Sequence, residues 1–271
     1  SEVMLQQTRV SSAIPYYIHW LSVLPDVRSV ANTSIDHILK LWEGLGYYSR
    51  ARNFYMACKI INEKYRGEIP NNSSQLLALP GIGPYICSAI LSIAFKLPVP
   101  ALDGNVVRVA SRINSINAPF PKSKKKIHSF LDGLIDPSSP GCFNQALMDL
   151  GREICLPRKP LCNSCPVNNY CTSYLNNTVN KFPVRVKKKP NMHYFVAVGI
   201  IWDNNKILIS KRRESGLLGG LWEFPGGKVG PGESGPECVI RAIHSTLNIR
   251  VNPEDSIKRI KHEYSHFRIT V

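Results

Sequence analysis

The chain has 271 residues, of which 44% are hydrophobic, and its 34 Lys and Arg against 19 Asp and Glu give a net charge of +15. This length suits two compact domains, and the apolar fraction excludes a chain that is disordered throughout. No apolar run approaches the about 20 residues that a membrane-spanning helix needs, and no cleavable signal segment is visible. The charge favours a polyanionic partner, with acidic lipid or plain solubility as alternatives.

The first part of the chain has the pattern of a series of helices. Apolar residues at helical spacing predict a helix from Val10 to Leu21, in which Pro15 should cause a kink or a restart. Ser34 can cap a short helix over 35–41. Further helical patterns cover residues 49–65, 73–77, 84–95, 106–113, 124–134 and 143–154. Strand-like alternation is nearly absent before residue 190.

A basic connector follows these helices. Residues 181–190 carry five Lys or Arg and no acidic residue. Two prolines and mutually repelling lysines favour an extended linker over a packed element. We therefore predict a first domain over residues 1–175, a basic linker over 176–193 and a second domain over 194–271.

The hydrophobic period changes in the second domain. Two β-branched runs, 194–202 and 206–210, flank Asp203-Asn204-Asn205 and predict a hairpin. The remaining predicted elements are a helix over 236–247 and strands over 257–264 and 267–271. This is an α+β pattern, and because its last strand stops without a turn signal we expect the domain to be partial.

The segment Leu79-Pro80-Gly81-Ile82-Gly83 lies between two predicted helices. Gly81 and Gly83 permit a tight turn whose backbone amides face the start of the next helix. A helix-hairpin-helix of this kind can hold a DNA phosphate without reading sequence, although Gly-x-Gly alone is more often an ordinary turn. The basic, helical surroundings favour the DNA-binding interpretation.

The segment Asp103-Gly104-Asn105 opens another predicted helix. One interpretation is that Asp103 or Asn105 merely caps this helix, which is the common role of these residue types. A loop at a helix start can also present the Asp103 carboxylate at the edge of a cleft. Asp103 is therefore a candidate catalytic group.

Four cysteines form the most specific local motif: Cys155, Cys162, Cys165 and Cys171. Four thiolates suit a structural zinc or a [4Fe–4S] cluster, and the single Cys-x2-Cys pair favours iron–sulfur while leaving the metal open. The other four cysteines are scattered and fall mostly within helical patterns, where we expect small buried hydrophobes. Nothing suggests a secreted disulfide framework, which favours a reducing compartment.

With these motifs in this order, the chain resembles the endonuclease III superfamily of helix-hairpin-helix DNA glycosylases, and within it the MutY-type adenine DNA glycosylases. The resemblance covers residues 1–175 almost continuously. It implies an all-α glycosylase domain whose four-cysteine loop holds a [4Fe–4S] cluster. The matching stretches are residues 1–8, 44–53, 79–85, 102–109 and 143–151, together with the four cysteines.

The resemblance assigns the chemistry to two carboxyl groups. Adenine leaves the sugar more readily once it is protonated, and positive charge then develops on the sugar. By resemblance, Glu2 is the acid that protonates N7 of adenine and activates or places water, and Asp103 is the electrostatic or nucleophilic partner, with Asn105 close by. Without the resemblance, Glu2 would be interpreted as a solvated charge near a chain end.

The resemblance also implies how the base leaves the stack. The family's counterparts of Leu5, Gln7, Thr8 and Tyr47 occupy or flank the opened duplex, and Gln145 matches a position in contact with the extruded base. From the residues alone, Tyr47-Tyr48 followed by Arg50 and Arg52 is an aromatic and basic cluster that suits stacking on bases and binding of the DNA backbone. Core packing of one of the two tyrosines is the alternative.

Tyr85 separates two branches of the superfamily. Bifunctional members have a Lys just after the hairpin, and its amine forms a Schiff base that leads to strand cleavage. A phenol cannot form an imine, so we expect the reaction to stop at base removal. The alternative is that Tyr85 is a packed core aromatic.

The second domain resembles a Nudix domain that has lost hydrolysis. Gly227-x5-Glu233-x7-Arg241 fits the opening of a Nudix box. Nudix enzymes bind Mg²⁺ through a cluster of glutamates that follows this Arg, and a chain without those glutamates cannot form that magnesium site. The positions concerned hold Ala242, Ser245 and Thr246.

A loop near the end of the chain is the candidate lesion contact. Tyr264-Ser265-His266-Phe267 matches the Phe-Ser-His loop of the MutY family, in which this domain recognises 8-oxoguanine opposite the adenine. Ser265 and His266 are therefore candidate partners of the oxidised base or its backbone. A strand turn with incidental polar residues is the alternative.

These features together predict a monofunctional glycosylase of base excision repair that removes adenine mispaired with 8-oxoguanine and, with lower preference, with guanine. One alternative is a bifunctional endonuclease III-like glycosylase/lyase, which Tyr85 argues against. The other is a non-catalytic lesion-binding fragment, because the chain begins one residue before Glu2 and the family carries a further N-terminal segment. We expect impaired turnover of this chain relative to a complete protein.

The predicted partner is double-stranded DNA that contains adenine opposite 8-oxoguanine or guanine, and we expect a monomer that binds no membrane. The predicted location is the cytoplasm of a bacterium, in association with the nucleoid, or the nucleus of a eukaryote.

Overall fold

The computed structural model describes residues 1–186, 191–213, 216, 218–264 and 267–271. The chain divides into two compact units, a helical unit, Ser1–Val186, and a C-terminal unit, Lys187–Val271. None of the helices among the described residues is long and apolar enough to cross a bilayer. The predicted class, a helical domain followed by a smaller α+β domain, is confirmed.

The helical unit contains a series of short helices and no strand among its described residues. A π-helical turn, Leu150–Ile154, continues the tenth helix. The helices are α1 (Glu2–Leu5), α2 (Val10–Val23), α3 (Val27–Ala31), α4 (Ile35–Leu41), α5 (Tyr48–Tyr65), α6 (Ser73–Leu77), α7 (Pro84–Ile93), α8 (Gly104–Ile113), α9 (Lys124–Asp132), α10 (Pro140–Asp149) and α11 (Thr172–Leu175).

Side-chain caps fix several of these helix starts. Ser34 accepts a hydrogen bond from the backbone N–H of His37, which confirms the predicted cap of α4. Asn72 caps α6 in the same way through the N–H groups of Ser74 and Gln75. The starts of α4 and of α6, the helix before the hairpin, are therefore fixed by local side-chain hydrogen bonds.

Pro15 does not restart the second helix, because α2 runs from Val10 to Val23 without a break, so that form of the prediction is wrong. Pro15 lies close to the helix start, so it removes only the hydrogen bond to the Ser11 carbonyl. Burial of Ala13 and Trp20 along the inner face holds the helix together on both sides of the proline.

Predicted helix ends differ by a few residues elsewhere. The helix expected over 143–154 begins earlier, at Pro140, which suits a first turn because it needs no N–H there. Its last turn widens into the π-helical turn. A Cβ on Gly151 would lie 2.6 Å from Cβ of Asn105, so this turn passes directly over the start of α8.

The helical unit has three clusters of buried side chains. Trp20 and Trp42 meet edge to face, 5.9 Å between ring centroids, in the cluster beneath α1 to α5. Leu76 and Leu79 anchor the hairpin in the second cluster. Val106 packs α8 into the third. The candidate site residues lie on the elements that these clusters hold in place.

The C-terminal unit is built on a four-stranded sheet in the order β6-β1-β8-β7, with β1 parallel to β8 and antiparallel to β6. Helix α12 packs on this sheet through Cys238, Ala242 and Ile243. The elements are β1 (Met192–Val198), β2 (Trp202–Asp203), β3 (Lys206–Ile207), β4 (Ser210–Lys211), β5 (Trp222–Glu223), β6 (Gly226–Lys228), α12 (Gly235–Leu247), β7 (Lys261–Glu263) and β8 (Phe267–Thr270).

The predicted hairpin around Asp203-Asn204-Asn205 is confirmed in a shorter form. β2 and β3 pair antiparallel, and Asn204 and Asn205 both adopt positive φ, which suits a tight turn. The run before the turn is not one strand, because β1 already ends at Val198. The strand expected over 257–264 is likewise reduced to β7.

Candidate active site

Glu2 and Tyr85 are in direct contact. Glu2 is the first residue of α1, and Tyr85 is the second residue of α7, immediately after the hairpin. The phenol hydroxyl donates a hydrogen bond of 2.7 Å to Oε2 of Glu2, and it lies 3.5 Å from Sδ of Met148. Tyr85 is half-buried, and its hydroxyl is hydrogen-bonded to a candidate catalytic group as well as lying against Met148.

Two of the sequence-predicted carboxyl groups, those of Glu2 and Asp103, act electrostatically on Tyr85. Burial raises the pKa of Tyr85 far above its usual value, and the hydrogen bond to Glu2 and the negative charges of Glu2 and Asp103 raise it further. The phenol therefore stays neutral and acts as a hydrogen-bond donor. Tyr85, at the start of α7, is thus hydrogen-bonded to Glu2 at the start of α1 and also senses the charge of Asp103 at the start of α8.

Asp103 is the N-cap of α8. Its Oδ1 accepts a hydrogen bond of 2.7 Å from the backbone N–H of Val106, and its Oδ2 accepts one of 3.2 Å from Nδ2 of Asn105. The capping role expected from the sequence is confirmed. Both carboxylate oxygens are fixed in direction, which a catalytic group at this place also requires.

Asn105 is held from its other side by a residue that the sequence analysis did not single out. Arg108, 8% exposed, donates to Oδ1 of Asn105 at 2.9 Å and to the carbonyl groups of Gly151 and Cys155 at 2.6 and 2.8 Å. The signal was present in the sequence: Arg108 and Arg112 stand four residues apart in an otherwise apolar helix. A buried Arg needs several acceptors nearby.

Asn144 is a second residue that sequence reasoning missed. It is fully buried, and its Oδ1 accepts from the backbone N–H of Ala101 while its Nδ2 donates to the carbonyl of Val99 and the hydroxyl of Ser92. These bonds fix the segment that leads into Asp103. Gln145, the neighbour that was predicted to contact the base, is exposed on α10.

The two hairpin glycines have different requirements. Gly81 has a φ of +78°, and a Cβ there would lie 2.8 Å from Cβ of Asn53, so only glycine fits without strain. Gly83 has an ordinary φ of −86°, caps α7, and has open space around its missing Cβ. The tight turn therefore depends on Gly81.

The predicted wedge residues flank α1 and the start of α5. Gln7 and Tyr47 both adopt positive φ, +53° and +50°, which is uncommon for residues with a side chain. Tyr47 is 46% exposed, whereas Leu5 packs partly against the core. The hydroxyl of Thr8 accepts a hydrogen bond of 3.2 Å from Arg50, a further residue with many contacts to this region.

The four cysteines of the motif line a single cavity. All four are free thiols, and the rest of the cavity wall is largely aliphatic. Nη1 of Arg112 lies 3.2 Å from Sγ of Cys155 and supplies positive charge beside the thiols. Among the described residues, no three Cys, His, Asp or Glu side chains are arranged to hold a single metal ion. Four thiols around one apolar cavity fit a larger, four-thiolate group.

In the C-terminal unit the residues of the Nudix box form an ion pair. Arg241 donates to both carboxylate oxygens of Glu233, at 2.6 and 2.8 Å, and these bonds lower the pKa of Glu233 to about 2. Ser245 and Thr246 bind the carbonyl of Ala242 instead of offering ligands to a cation. The box thus retains its ion pair without a cluster of carboxylates.

The candidate lesion loop is described only at its edges. Ser265 and His266 lie outside the described residues. Tyr264 stacks on Phe267 with 4.6 Å between ring centroids.

Comparison with known proteins places these features in a family. Residues 1–137 match the sequence profile of the HhH-GPD superfamily of base excision DNA repair proteins, and residues 197–271 match that of the NUDIX domain. A solved thermostable thymine-DNA glycosylase superposes with a TM-score of 0.60 and 27% identity over 65% of this chain and 82% of its own. A solved complex of endonuclease III with DNA shares the fold, with a TM-score of 0.57 and 22% identity over the same shares.

Curated relatives match the whole chain. It is 40% identical to the adenine DNA glycosylase of Buchnera aphidicola subsp. Baizongia pistaciae, over 100% of this chain and 76% of the relative. It is 32% identical to the adenine DNA glycosylase of Rattus norvegicus, of which it spans 62%. The chain belongs to the adenine DNA glycosylase family of the HhH-GPD superfamily.

Proposed function

We propose that this protein is a monofunctional DNA glycosylase that hydrolyses the N-glycosidic bond of adenine opposite 8-oxoguanine and, with lower preference, opposite guanine. The observation that carries the proposal is the 2.7 Å hydrogen bond from the Tyr85 hydroxyl to Glu2. It joins the carboxyl group of Glu2 to a neutral phenol at the place where lyases of this superfamily have an amine. The adenine glycosylase relatives support the choice of base.

Glu2 is the general acid in this proposal. Its Oε2 is occupied by Tyr85, so Oε1 is the oxygen that carries a proton to N7 of adenine and then holds the attacking water. Protonation turns the departing base into a neutral leaving group. General acid catalysis of this kind contributes about 10²- to 10⁴-fold to the rate.

Asp103 stabilises the positive charge that develops on the deoxyribose as the base departs. Its carboxylate is held by the Val106 N–H and by Asn105, so it does not have to reorganise during the reaction. Arg108 in turn holds Asn105. The same geometry suits a nucleophilic role of Asp103, in which it attacks the sugar carbon and is later displaced by water.

Adenine must first leave the duplex, which costs a few kcal/mol. The proposed wedge consists of Leu5, Gln7, Thr8 and Tyr47, and Gln145 contacts the extruded base. The hairpin with Gly81 and Gly83 holds the phosphate backbone. Support comes from the exposure of Tyr47 and Gln145 and from the positive φ of Gln7 and Tyr47.

The motif cysteines, Cys155, Cys162, Cys165 and Cys171, hold a [4Fe–4S] cluster in this proposal. Such a cluster ties the ends of its loop together and supplies no open coordination position for a substrate. The free thiols around one aliphatic cavity support this assignment. The chain itself contributes Arg112, whose positive charge lies against Cys155.

The C-terminal unit recognises the oxidised guanine through Ser265 and His266 in this proposal. The NUDIX match of residues 197–271 and the incomplete Nudix box support a binding role without hydrolysis. The partner is double-stranded DNA, bound by a monomer, in a bacterial nucleoid or a eukaryotic nucleus. The charge of +15 supports a DNA partner.

Single-turnover excision of adenine from a duplex with one adenine:8-oxoguanine pair tests the proposal. The chain and Glu2→Gln are compared at equal, saturating concentrations. We expect excision by the chain and a loss of about 10²-fold or more in the variant. Equal rates would remove Glu2 from the mechanism, and binding without any excision would favour the lesion-binding alternative. Borohydride trapping of a covalent adduct with DNA would favour the glycosylase/lyase alternative.

A further inference from the structure

The side chain of Arg50 connects the two segments that carry the proposed acid and the proposed wedge. Arg50 lies in the first turn of α5 and is 7% exposed. Its guanidinium makes hydrogen bonds of 2.6 to 3.3 Å with six acceptors, five of them backbone carbonyls. The acceptors are the carbonyls of Val3, Met4, Gln6, Leu45 and Gly46 and the hydroxyl of Thr8.

The first group of acceptors lies in α1, the helix that carries Glu2, and at its C-cap residue. This helix has only four residues, so the carbonyls at its end have no partner within the helix. A helix of this length does not persist by itself in water. Nη1 of Arg50 takes up the carbonyls of Val3, Met4 and Gln6, and the direction of α1 therefore depends on this guanidinium.

The second group of acceptors precedes Tyr47. Nη2 of Arg50 binds the carbonyls of Leu45 and Gly46, and its guanidinium carbon lies 5.3 Å from the ring centroid of Tyr47 and 5.4 Å from that of Trp42. Tyr47 is held at a φ of +50°, a conformation that its surroundings must enforce. The same nitrogen also binds the hydroxyl of Thr8, next to Gln7 with its φ of +53°.

We infer that Arg50 is a positioning residue that locks the Glu2 helix to the Tyr47 loop, so that the acid and the wedge keep one fixed relation while the base is extruded. This inference rests on the proposed function. No acceptor in the described contacts of Arg50 is a carboxylate. Its guanidinium instead holds the backbone carbonyls of these two segments in place. Lys cannot replace it, because one ammonium offers three donors from a single atom and cannot reach two groups of carbonyls on opposite sides.

The test compares the chain with Arg50→Lys, which keeps the charge, and with Arg28→Lys as a matched control. Arg28 donates to the carbonyl of Arg66 on the surface, away from Glu2 and Tyr47. Three quantities are measured at a temperature at which circular dichroism shows each protein folded. They are the affinity for a duplex with adenine opposite 8-oxoguanine, the single-turnover excision rate, and the fluorescence rise when 2-aminopurine in place of adenine leaves the stack.

We expect Arg50→Lys to bind DNA within about threefold of the parent chain and to excise adenine about 100-fold more slowly, since misplacement of a reacting group by about 1 Å has this effect. The 2-aminopurine signal should fall as well, because the wedge is no longer held. Arg28→Lys should leave all three quantities unchanged. A purely structural role would lower the melting temperature alone, and excision by folded Arg50→Lys within about threefold of the parent would overturn the inference.

If Arg50→Lys does not fold, Thr8→Val and Thr8→Ser replace it. Val removes the acceptor of the Arg50 hydrogen bond and Ser keeps it. We expect excision by Thr8→Val to be about tenfold slower than by Thr8→Ser, the effect of losing one charge-assisted hydrogen bond. Equal rates for the two variants would overturn the inference. Absence of excision by the unchanged chain would instead contradict the proposed function.

Discussion

The hydroxyl of Tyr85 donates a 2.7 Å hydrogen bond to Oε2 of Glu2, although the two residues are 83 positions apart in the chain. One carboxylate oxygen is thereby bound and the other is left for the substrate. Because Tyr85 follows the hairpin directly, the segment that is proposed to hold the DNA backbone also orients the proposed acid. In the proposed mechanism, a single phenol therefore links the segment that binds the substrate to the group that transfers the proton.

Replacement of Tyr85 by Phe should slow adenine excision about tenfold, because loss of one hydrogen bond to a charged group costs about 1.5 kcal/mol. DNA affinity should change little, since the described contacts of the hydroxyl are with Glu2 and Met148 within the protein. Tyr55→Phe is the matched control, because Tyr55 donates to the carbonyl of Thr33 far from Glu2. Single-turnover kinetics measure the difference, and an unchanged rate in Tyr85→Phe would show that Glu2 needs no such support.

Tyr85 should also make the protein sensitive to strong alkali. Its pKa is raised in the folded protein by burial and by the charges of Glu2 and Asp103, whereas in the unfolded chain it titrates near its ordinary value of about 10. Its contribution to stability is therefore complete below about pH 10 and is lost as the pH rises above that value. Urea unfolding between pH 8 and 11 should show a steeper decline for the parent chain than for Tyr85→Phe, and parallel curves would contradict this.

Local chemistry was sufficient to predict much of the helical unit. Ser34 marks the start of α4, and Asp103 marks the start of α8 and was recognised as both cap and candidate catalyst. The contact of Tyr85 with Glu2 could not be read from spacing, because it depends on how α1 packs against α7. The helix restart expected at Pro15 was wrong because packing of the neighbouring side chains outweighs one missing hydrogen bond.

The roles of the buried arginines were less accessible to sequence reasoning. Arg50 and Arg108 bind mainly backbone carbonyls. Because every residue has a carbonyl, the pattern of side chains in the sequence does not predict which residues an arginine will bind. Arg108 could have been suspected from its apolar helix. Arg50 belonged to a cluster that suited DNA binding from the outside, and only the fold shows that its guanidinium faces inward.

Substitution of Ala at Gly81 should destabilise the hairpin, whereas the same substitution at Gly83 should not. Gly81 combines a φ of +78° with a 2.8 Å approach to Asn53, and Gly83 has an ordinary φ and open space. We expect Gly81→Ala to lose about 1–3 kcal/mol of unfolding free energy. Gly83→Ala is the matched control and should stay within about 0.5 kcal/mol of the parent chain. Equal losses in the two variants, measured by urea unfolding, would show that backbone conformation is not the cause.

The last prediction concerns the four-cysteine cavity. Cys162→Ser removes one of the four thiols that line this cavity. The variant should lose the absorbance band near the visible–ultraviolet border and contain less iron and sulfide. Its free energy of unfolding should fall by about 3 kcal/mol or more. Cys142→Ser is the control, because Cys142 is exposed and stands outside the motif. Elemental analysis of the purified proteins decides between metals. Zinc without sulfide in the parent chain would contradict the cluster, because an iron–sulfur cluster contains sulfide and no zinc. Full iron content in Cys162→Ser would show that the cluster does not need the Cys162 thiolate.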